Sequence, residues 1–240
     1  MNFDLSQIEF SKRDLEKSIK IPKKLTPELA EIIGLHIGDG HLGYNKNKYS
    51  YVIQLMGNPK TEKLHYDNHI SKLWKSIFNI NLKLRNYPNK CYGFQVYSKA
   101  IGTFFNRALE MPIGKKSKTI RIPELIKKTC KNGISEEMIS CLRGIIDTDF
   151  YMNNDRGQLG LGAWFVSKNL VLDLQEYFKL LNIKPRVSLD INYYDSSSKK
   201  YLTRHRIIIR RKEDIKKYKK KIGTFNPKIY KKLLDSNYQF

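Results

Sequence analysis

Two acids, Asp39 and Asp149, stand at matching places in two related segments of this 240-residue chain. Residues 32–40 read Ile-Ile-Gly-Leu-His-Ile-Gly-Asp-Gly, and residues 142–150 read Leu-Arg-Gly-Ile-Ile-Asp-Thr-Asp-Phe. Each is an apolar, helix-like run with a small residue, another four positions later, and an acid directly after. Gly34, Gly38 and Asp39 form the first set; Gly144, Thr148 and Asp149 form the second. Residues at i and i+4 share one helical face. Small residues there let two helix backbones approach more closely than ordinary packing allows. If the two helices cross about a pseudo-two-fold axis, their terminal carboxylates meet. Close carboxylates raise each other's pKa, and a divalent cation relieves the repulsion. Mg²⁺ takes oxygen ligands, often one or two carboxylates with waters and substrate phosphates. Paired metal sites suit in-line displacement at a phosphodiester.

The elements that must position these acids repeat along the chain. Residues 1–24 are a polar arm with a short helix around Asp14–Lys20. Thr26 caps a helix that starts at Pro27, carries Glu28 and Glu31 early, and runs to about Asp39, where Gly40 and Gly43 stop it. Strand-forming residues follow at 49–56 and a helical period at 60–78. Strands are expected at 82–86 and 91–97, and a helix at 99–109. The second half repeats this order. It has a Ser135-capped helix at 136–149, strand at 158–166 and helix at 169–181; strands at 186–194 and 204–211 then precede a helix at 212–222. Each half therefore reads αββαββα, and the fold class is α+β. The half-domains span 25–110 and 135–222, joined by a linker at 111–134 and followed by a basic tail at 223–240 with no assigned structure.

Composition bounds the partners. Lys and Arg number 45 against 23 acids, a net charge of +22 that should attract a polyanion by steering and counterion release. No apolar run reaches membrane-spanning length, and no signal peptide is visible. Cys91, Cys130 and Cys141 are odd in number and lack metal-ligand spacing, as in a reduced intracellular protein. No zinc framework, P-loop, dinucleotide-binding glycine signature or nucleophile elbow is present.

The paired segments resemble the two motifs of the LAGLIDADG homing endonucleases in their single-chain form, and the interleaved element order extends the resemblance from about Leu25 to Ile222. The resemblance implies two antiparallel sheets curved as a saddle over DNA, with the motif helices at the central interface. It implies that Asp39 and Asp149 bind catalytic Mg²⁺, with Gly38 and Thr148 offering backbone carbonyls nearby; Mn²⁺ or Ca²⁺ would substitute for binding. Asp147 falls at an earlier acidic position that is not a metal ligand in the family. One departure is Phe150, where the family closes the motif with glycine, as Gly40 does; a side chain there could strain the turn or crowd the metal. His36 reads as an interface or core histidine. His65 and His69, four apart, read as part of an amphipathic surface helix rather than a metal site.

A two-stranded ribbon fits the major groove, where every base pair shows a distinct edge. Candidate base and phosphate contacts are Lys46, Lys48, Gln54, Lys83, Arg85 and Lys90 in the first half. Their counterparts are Arg156, Gln158, Arg186, Lys199, Lys200, Arg204 and Arg206. Tyrosines interleave with these charges at Tyr49, Tyr51, Tyr87, Tyr92, Tyr193 and Tyr194. The expected function is Mg²⁺-dependent, site-specific cleavage of both strands of a long asymmetric DNA target by a monomer. The alternative on the same scaffold is an RNA maturase that binds intron RNA, or a catalytically impaired DNA-binding protein. The chain ends, Met-Asn and Tyr-Gln-Phe, carry no obvious protein-splicing signature, so a free-standing, intron-encoded enzyme is expected, with an excised insert as the alternative.

Overall fold

The computed structural model describes residues 2–155, 158–196 and 199–234. Helix α1 (Lys12–Glu16) lies in the N-terminal arm, and α2 (Pro27–Gly38) is the first motif helix. Strands β1 (Gly40–Asn45) and β2 (Ser50–Gly57) follow, then α3 (Lys63–His65), which passes through a π-turn at Tyr66–Ile70 into α4 (Ser71–Phe78). Strands β3 (Arg85–Tyr87) and β4 (Cys91–Tyr97) precede α5 (Lys99–Thr103), extended by a π-turn at Phe104–Ala108. After α6 (Glu124–Lys127), the second motif helix α7 (Glu136–Asp149) begins the same series again. It continues as β5 (Tyr151–Asp155), β6 (Gln158–Phe165), α8 (Lys168–Leu180), β7 (Arg186–Asp195), β8 (Lys200–Ile209), α9 (Lys212–Lys221) and α10 (Pro227–Leu234).

The result is two four-stranded antiparallel sheets of one topology, ordered β1-β2-β4-β3 and β5-β6-β8-β7. One face of each is apolar and buried. Ile53, Leu55, Phe94 and Val96 meet Trp74, Phe78 and Phe105 in the first half; Leu161, Ala163, Ile207 and Ile209 meet Leu174 and Phe178 in the second. The alternation along each strand leaves the other face more polar. Between the halves, α2 and α7 form the most extensive contact of any two helices.

Several expectations change. Gly40 ends α2 but opens a strand at once, so β1 and β5 start directly after the two motifs, where no strand was placed. The pairing explains this: Gly40 faces Leu55 and Tyr151 faces Gly162, so the motif ends are stitched into the sheets. Strand β3 begins at Arg85 rather than 82, and β8 begins at Lys200 and stops at Ile209. Residues 227–234 of the tail are helical, with Ile229 and Leu233 buried. The arm is tied down as well. Asp14, buried and part of a capping box with Ser11, accepts from the backbone N–H groups of Lys99 and Ala100 at 3.1 Å each, which caps α5. Tyr51 and Tyr92 lie in the core rather than among the surface charges.

Candidate active site and nucleic-acid interface

The two motif helices touch through their backbones. A Cβ added at Gly34 would overlap the carbonyl oxygen of Cys141 and lie 3.1 Å from the Cα of Gly144. One added at Gly144 would overlap the carbonyl oxygen of Glu31 and lie 2.6 Å from the amide nitrogen of Leu35. At the next small pair, a Cβ on Gly38 would meet the Thr148 side chain and lie 3.0 Å from Oδ2 of Asp149. No larger residue at 34 or 144 would let the helix ends meet. Thr148 turns its hydroxyl back onto its own helix, donating to the carbonyls of Gly144 and Ile145 at 3.0 Å each.

Asp39 and Asp149 are therefore neighbours at the ends of the paired helices, each half-buried. Burial, the Asp149 charge and the Glu62 charge push the Asp39 carboxyl up to about 8, against opposition from Lys116 and Lys228. Burial pushes Asp149 up to about 6, again opposed by Lys116. Two close carboxylates that repel each other and keep partial access to solvent suit a hard divalent cation, which favours their ionised forms and relieves the repulsion. Among the described residues, no group of three or more His, Cys, Asp or Glu side chains is arranged to hold a metal ion. An ion here would complete its shell from backbone, water and phosphate, as Mg²⁺ commonly does.

Two residues of this site carry no signal in the sequence. Lys116, in the segment between the halves, donates from Nζ to the carbonyls of His36 at 2.8 Å, Ile37 at 2.5 Å and Gly38. It satisfies the open carbonyl end of α2 and sits where the helix dipole favours a cation. The Gly38 carbonyl, expected to face a metal, is held by this ammonium. Burial lowers Lys116 to about 8 despite the charges of Asp149 and Asp39. Glu62 is buried, accepts from the amide of Asn58 at 2.7 Å, and pairs with Lys228 of α10 at 3.6 Å. A linker lysine and an acid on an irregular turn have no pattern that reveals them.

The other motif residues are structural. Asp147 accepts from the Thr224 hydroxyl and from the Phe225 amide at 2.9 Å, while Asn226 Nδ2 donates to its carbonyl at 2.6 Å. Burial raises Asp147 to about 7, with the Thr224 and Phe225 bonds opposing. Phe150 has ordinary extended backbone (φ −84°, ψ 146°) and packs its ring against Phe165 and Phe178 at 6.1 and 6.2 Å between centroids. The expected strain is absent because the ring enters the core. At the matching Gly40 a Cβ would collide with His36, whose counterpart in the second helix is Ile146. His36 is a core residue, packed edge-on against Phe105 at 4.9 Å and held neutral by burial, which lowers it to about 3.

His65 and His69 are not on a free surface. His65 is buried and donates from Nδ1 to the Phe225 carbonyl at 3.1 Å. His69 bonds Glu31 at 2.5 Å and stacks on Phe225 at 4.1 Å. Glu31 also pairs with Arg143 of α7 at 3.2 Å, and the Arg143 guanidinium lies 5.0 Å from the Phe225 ring centroid. The segment after α9 thus fastens both halves together.

The expected DNA contacts divide by register. Directly opposed residues in antiparallel strands project to one face. Gln54 faces His41 and Gln95, and Arg85 faces Gly93, all on the side away from the core. In the second half Gln158, Arg186, Lys200, Arg204 and Arg206 share the corresponding face through the pairs Asp155–Gln158, Arg186–Ile208, Asp195–Lys200, Ile191–Arg204 and Trp164–Arg206. Lys46 lies in a one-turn helix (Lys46–Lys48) at the tip of the first hairpin. Lys48 closes that turn, and its side chain is outside what the structure describes. Lys83 is exposed just before β3, while Lys90 and Lys199 occupy left-handed turn positions with φ of 59° and 53°. Arg156 lies outside the described residues.

Comparison with known proteins agrees with the repeat. Residues 136–223 match the protein-family model described as a LAGLIDADG-like domain. Among solved structures, the homing endonuclease I-DmoI in complex with DNA and Ca is 17% identical, with a TM-score of 0.57 over 87% of this chain and 97% of that one. I-WcaI bound to its DNA recognition sequence is 16% identical, with a TM-score of 0.56 over 92% of each chain. I-DmoI with DNA and Mn gives a TM-score of 0.53 at 19% identity, over 82% of this chain and 96% of that one. A curated relative, the isomerizing glutamine–fructose-6-phosphate aminotransferase of Methanocaldococcus jannaschii, is 28% identical over 207 residues, 85% of this chain. The chain spans only 17% of that polypeptide. Among the described residues, no helix is long and apolar enough to cross a membrane.

Proposed function

We propose that this chain, which has the fold of the single-chain LAGLIDADG homing endonucleases, is a site-specific endonuclease that hydrolyses both strands of a long, asymmetric duplex-DNA target. The observation that carries this reading is the backbone contact at Gly34 and Gly144, which brings Asp39 and Asp149 together at the ends of α2 and α7. Two half-domains, 25–110 and 135–222, joined by the linker 111–134, would each read one half of the site, so the chain acts as a monomer inside the cell. The arm at 1–24 and the tail from 223 brace this unit.

Asp39 and Asp149 would hold Mg²⁺, with the Thr148 carbonyl beside them. When bound, the ion supplies charge stabilisation and an activated nucleophile for in-line displacement. The protein's own groups do the rest. The carboxylate pair fixes the cleavage point between the two sheets. Lys116 supplies positive charge beside both acids, where a scissile phosphate would add negative charge. The exposed sheet faces and hairpin tips hold the duplex through phosphate contacts that set register and base contacts that select sequence.

The test is cleavage of a randomised duplex library with Mg²⁺ by the unmutated chain, Asp39→Asn and Asp149→Asn. Loss of even an outer partner of a metal ligand costs about 10–100-fold, so each variant should lose at least that on one strand while keeping salt-sensitive binding. Normal cutting of both strands by Asp39→Asn would refute the assignment.

A further inference from the structure

Four arginines of this chain are paired with acids. Arg107 pairs with Glu9, Arg121 with Asp173, Arg143 with Glu31 and Arg211 with Asp214. Arg204, in the centre of the second sheet, is held differently. Its guanidinium lies 3.9 Å from the ring centroid of Trp164 on β6 and 4.2 Å from that of Tyr193 on β7. Arg206, directly opposite Trp164, sits 5.2 Å from the same ring and donates from Nη2 to the Tyr151 hydroxyl at 3.4 Å. The Nε atoms of both arginines are buried without a partner.

Rings on two sides of a guanidinium take up its flat faces and leave its in-plane donors as the only free hydrogen-bonding edge. They also remove most of the side chain's rotamer freedom before any ligand arrives, so little is lost on binding. A planar fork fixed in this way on a sheet is matched by a planar pair of acceptors. In a major groove that pair is O6 and N7 of guanine. A phosphate would not need the fork to be immobilised, because a flexible lysine serves as well. On the corresponding face of the first sheet, Gln54 lies between His41 and Gln95, and Arg85 stands on the edge strand.

We propose that Arg204, clamped between Trp164 and Tyr193, is a specificity-determining residue that reads a guanine in the half of the target covered by the second sheet. This rests on the reading of the chain as a duplex-DNA-binding enzyme. Trp164 acts as a positioning residue, contributing through Arg204 rather than through a base contact of its own.

The experiment is selection of bound duplexes from a randomised library, with Ca²⁺ in place of Mg²⁺, for the full chain and for Arg204→Gln, Arg204→Lys and Trp164→Leu. The unmutated chain should enrich one site with a fixed guanine that is about 10- to 100-fold preferred. Arg204→Lys keeps the charge and should keep overall affinity while losing that preference. Arg204→Gln should lose it or move it to adenine, and Trp164→Leu should relax the same position and no other. If the unmutated chain enriches no sequence, the DNA-reading premise fails. If it enriches a site and both Arg204 variants keep every position as strict as before, the premise stands and the assignment to Arg204 is overturned.

Discussion

Gly34 and Gly144 face each other across the helix pair so closely that a methyl group on either would overlap a backbone carbonyl of the other helix, that of Cys141 or that of Glu31. This contact sets how near Asp39 and Asp149 come, because each acid is carried a fixed number of residues beyond its glycine. The interface is rigid in the literal sense that backbone cannot yield as a side chain end can.

Gly34→Ala should therefore push the helices apart. Overpacking of a close-packed site costs about 1–3 kcal/mol, to be read as a lowered urea midpoint, with metal-dependent cleavage falling further than stability does. An unchanged midpoint would mean that the helices are not in backbone contact.

Lys116 links the segment between the halves to the site. Lys116→Met removes a cation that opposes the raised pKa values of Asp39 and Asp149. The ammonium repels a divalent cation at the same carboxylates, and a neighbouring charge is worth about 1–3 units to a carboxyl, so with both acids ionised calorimetric Ca²⁺ affinity should rise about tenfold. Unaltered affinity would show that the ammonium does not compete for the carboxylates.

The two acids also couple stability to pH. Asp39 is raised to about 8 and Asp149 to about 6, both above the ordinary 3.8. Over that interval the folded chain binds more protons than the unfolded one, so this contribution to stability falls as pH rises from about 4 to about 8. In EDTA, Asp39→Asn should lose less melting temperature across that window than the unmutated chain. Mg²⁺ should recover the difference only where Asp39 is present. Parallel melting curves for the two chains would contradict the raised value.

Asp147 anchors the tail through Thr224, Phe225 and Asn226. Asp147→Ala leaves buried donors unpaired, at a cost of about 1–3 kcal/mol. The segment 223–234 should become the first site of limited proteolysis. Continued protection of that segment would assign its anchoring to Phe225 and its ring contacts instead.

The repeat, the fold class and the acids at 39 and 149 were legible in the sequence because each is a local pattern: a small residue every fourth position, a cap at Thr26 or Ser135, an apolar stripe. A spacing of four fixes a helical face wherever the helix ends up. The strands at Gly40–Asn45 and Tyr151–Asp155 were not legible, since glycine and polar residues there form strand only by pairing with Leu55 or Gly162 across the sheet. Lys116, Glu62 and the Phe225 clasp were invisible for a related reason. Their roles depend on partners roughly 80 residues away or more, as Lys116 has in His36 and Phe225 has in Asp147. The same holds for Phe150 and Arg204. The resemblance marked one as a departure from the motif, and the sequence showed the other as a basic residue among many. Only packing decided that the first ring fills a core and that the second side chain is clamped between two rings, because side-chain direction and freedom are set by neighbours that the chain brings together from different strands.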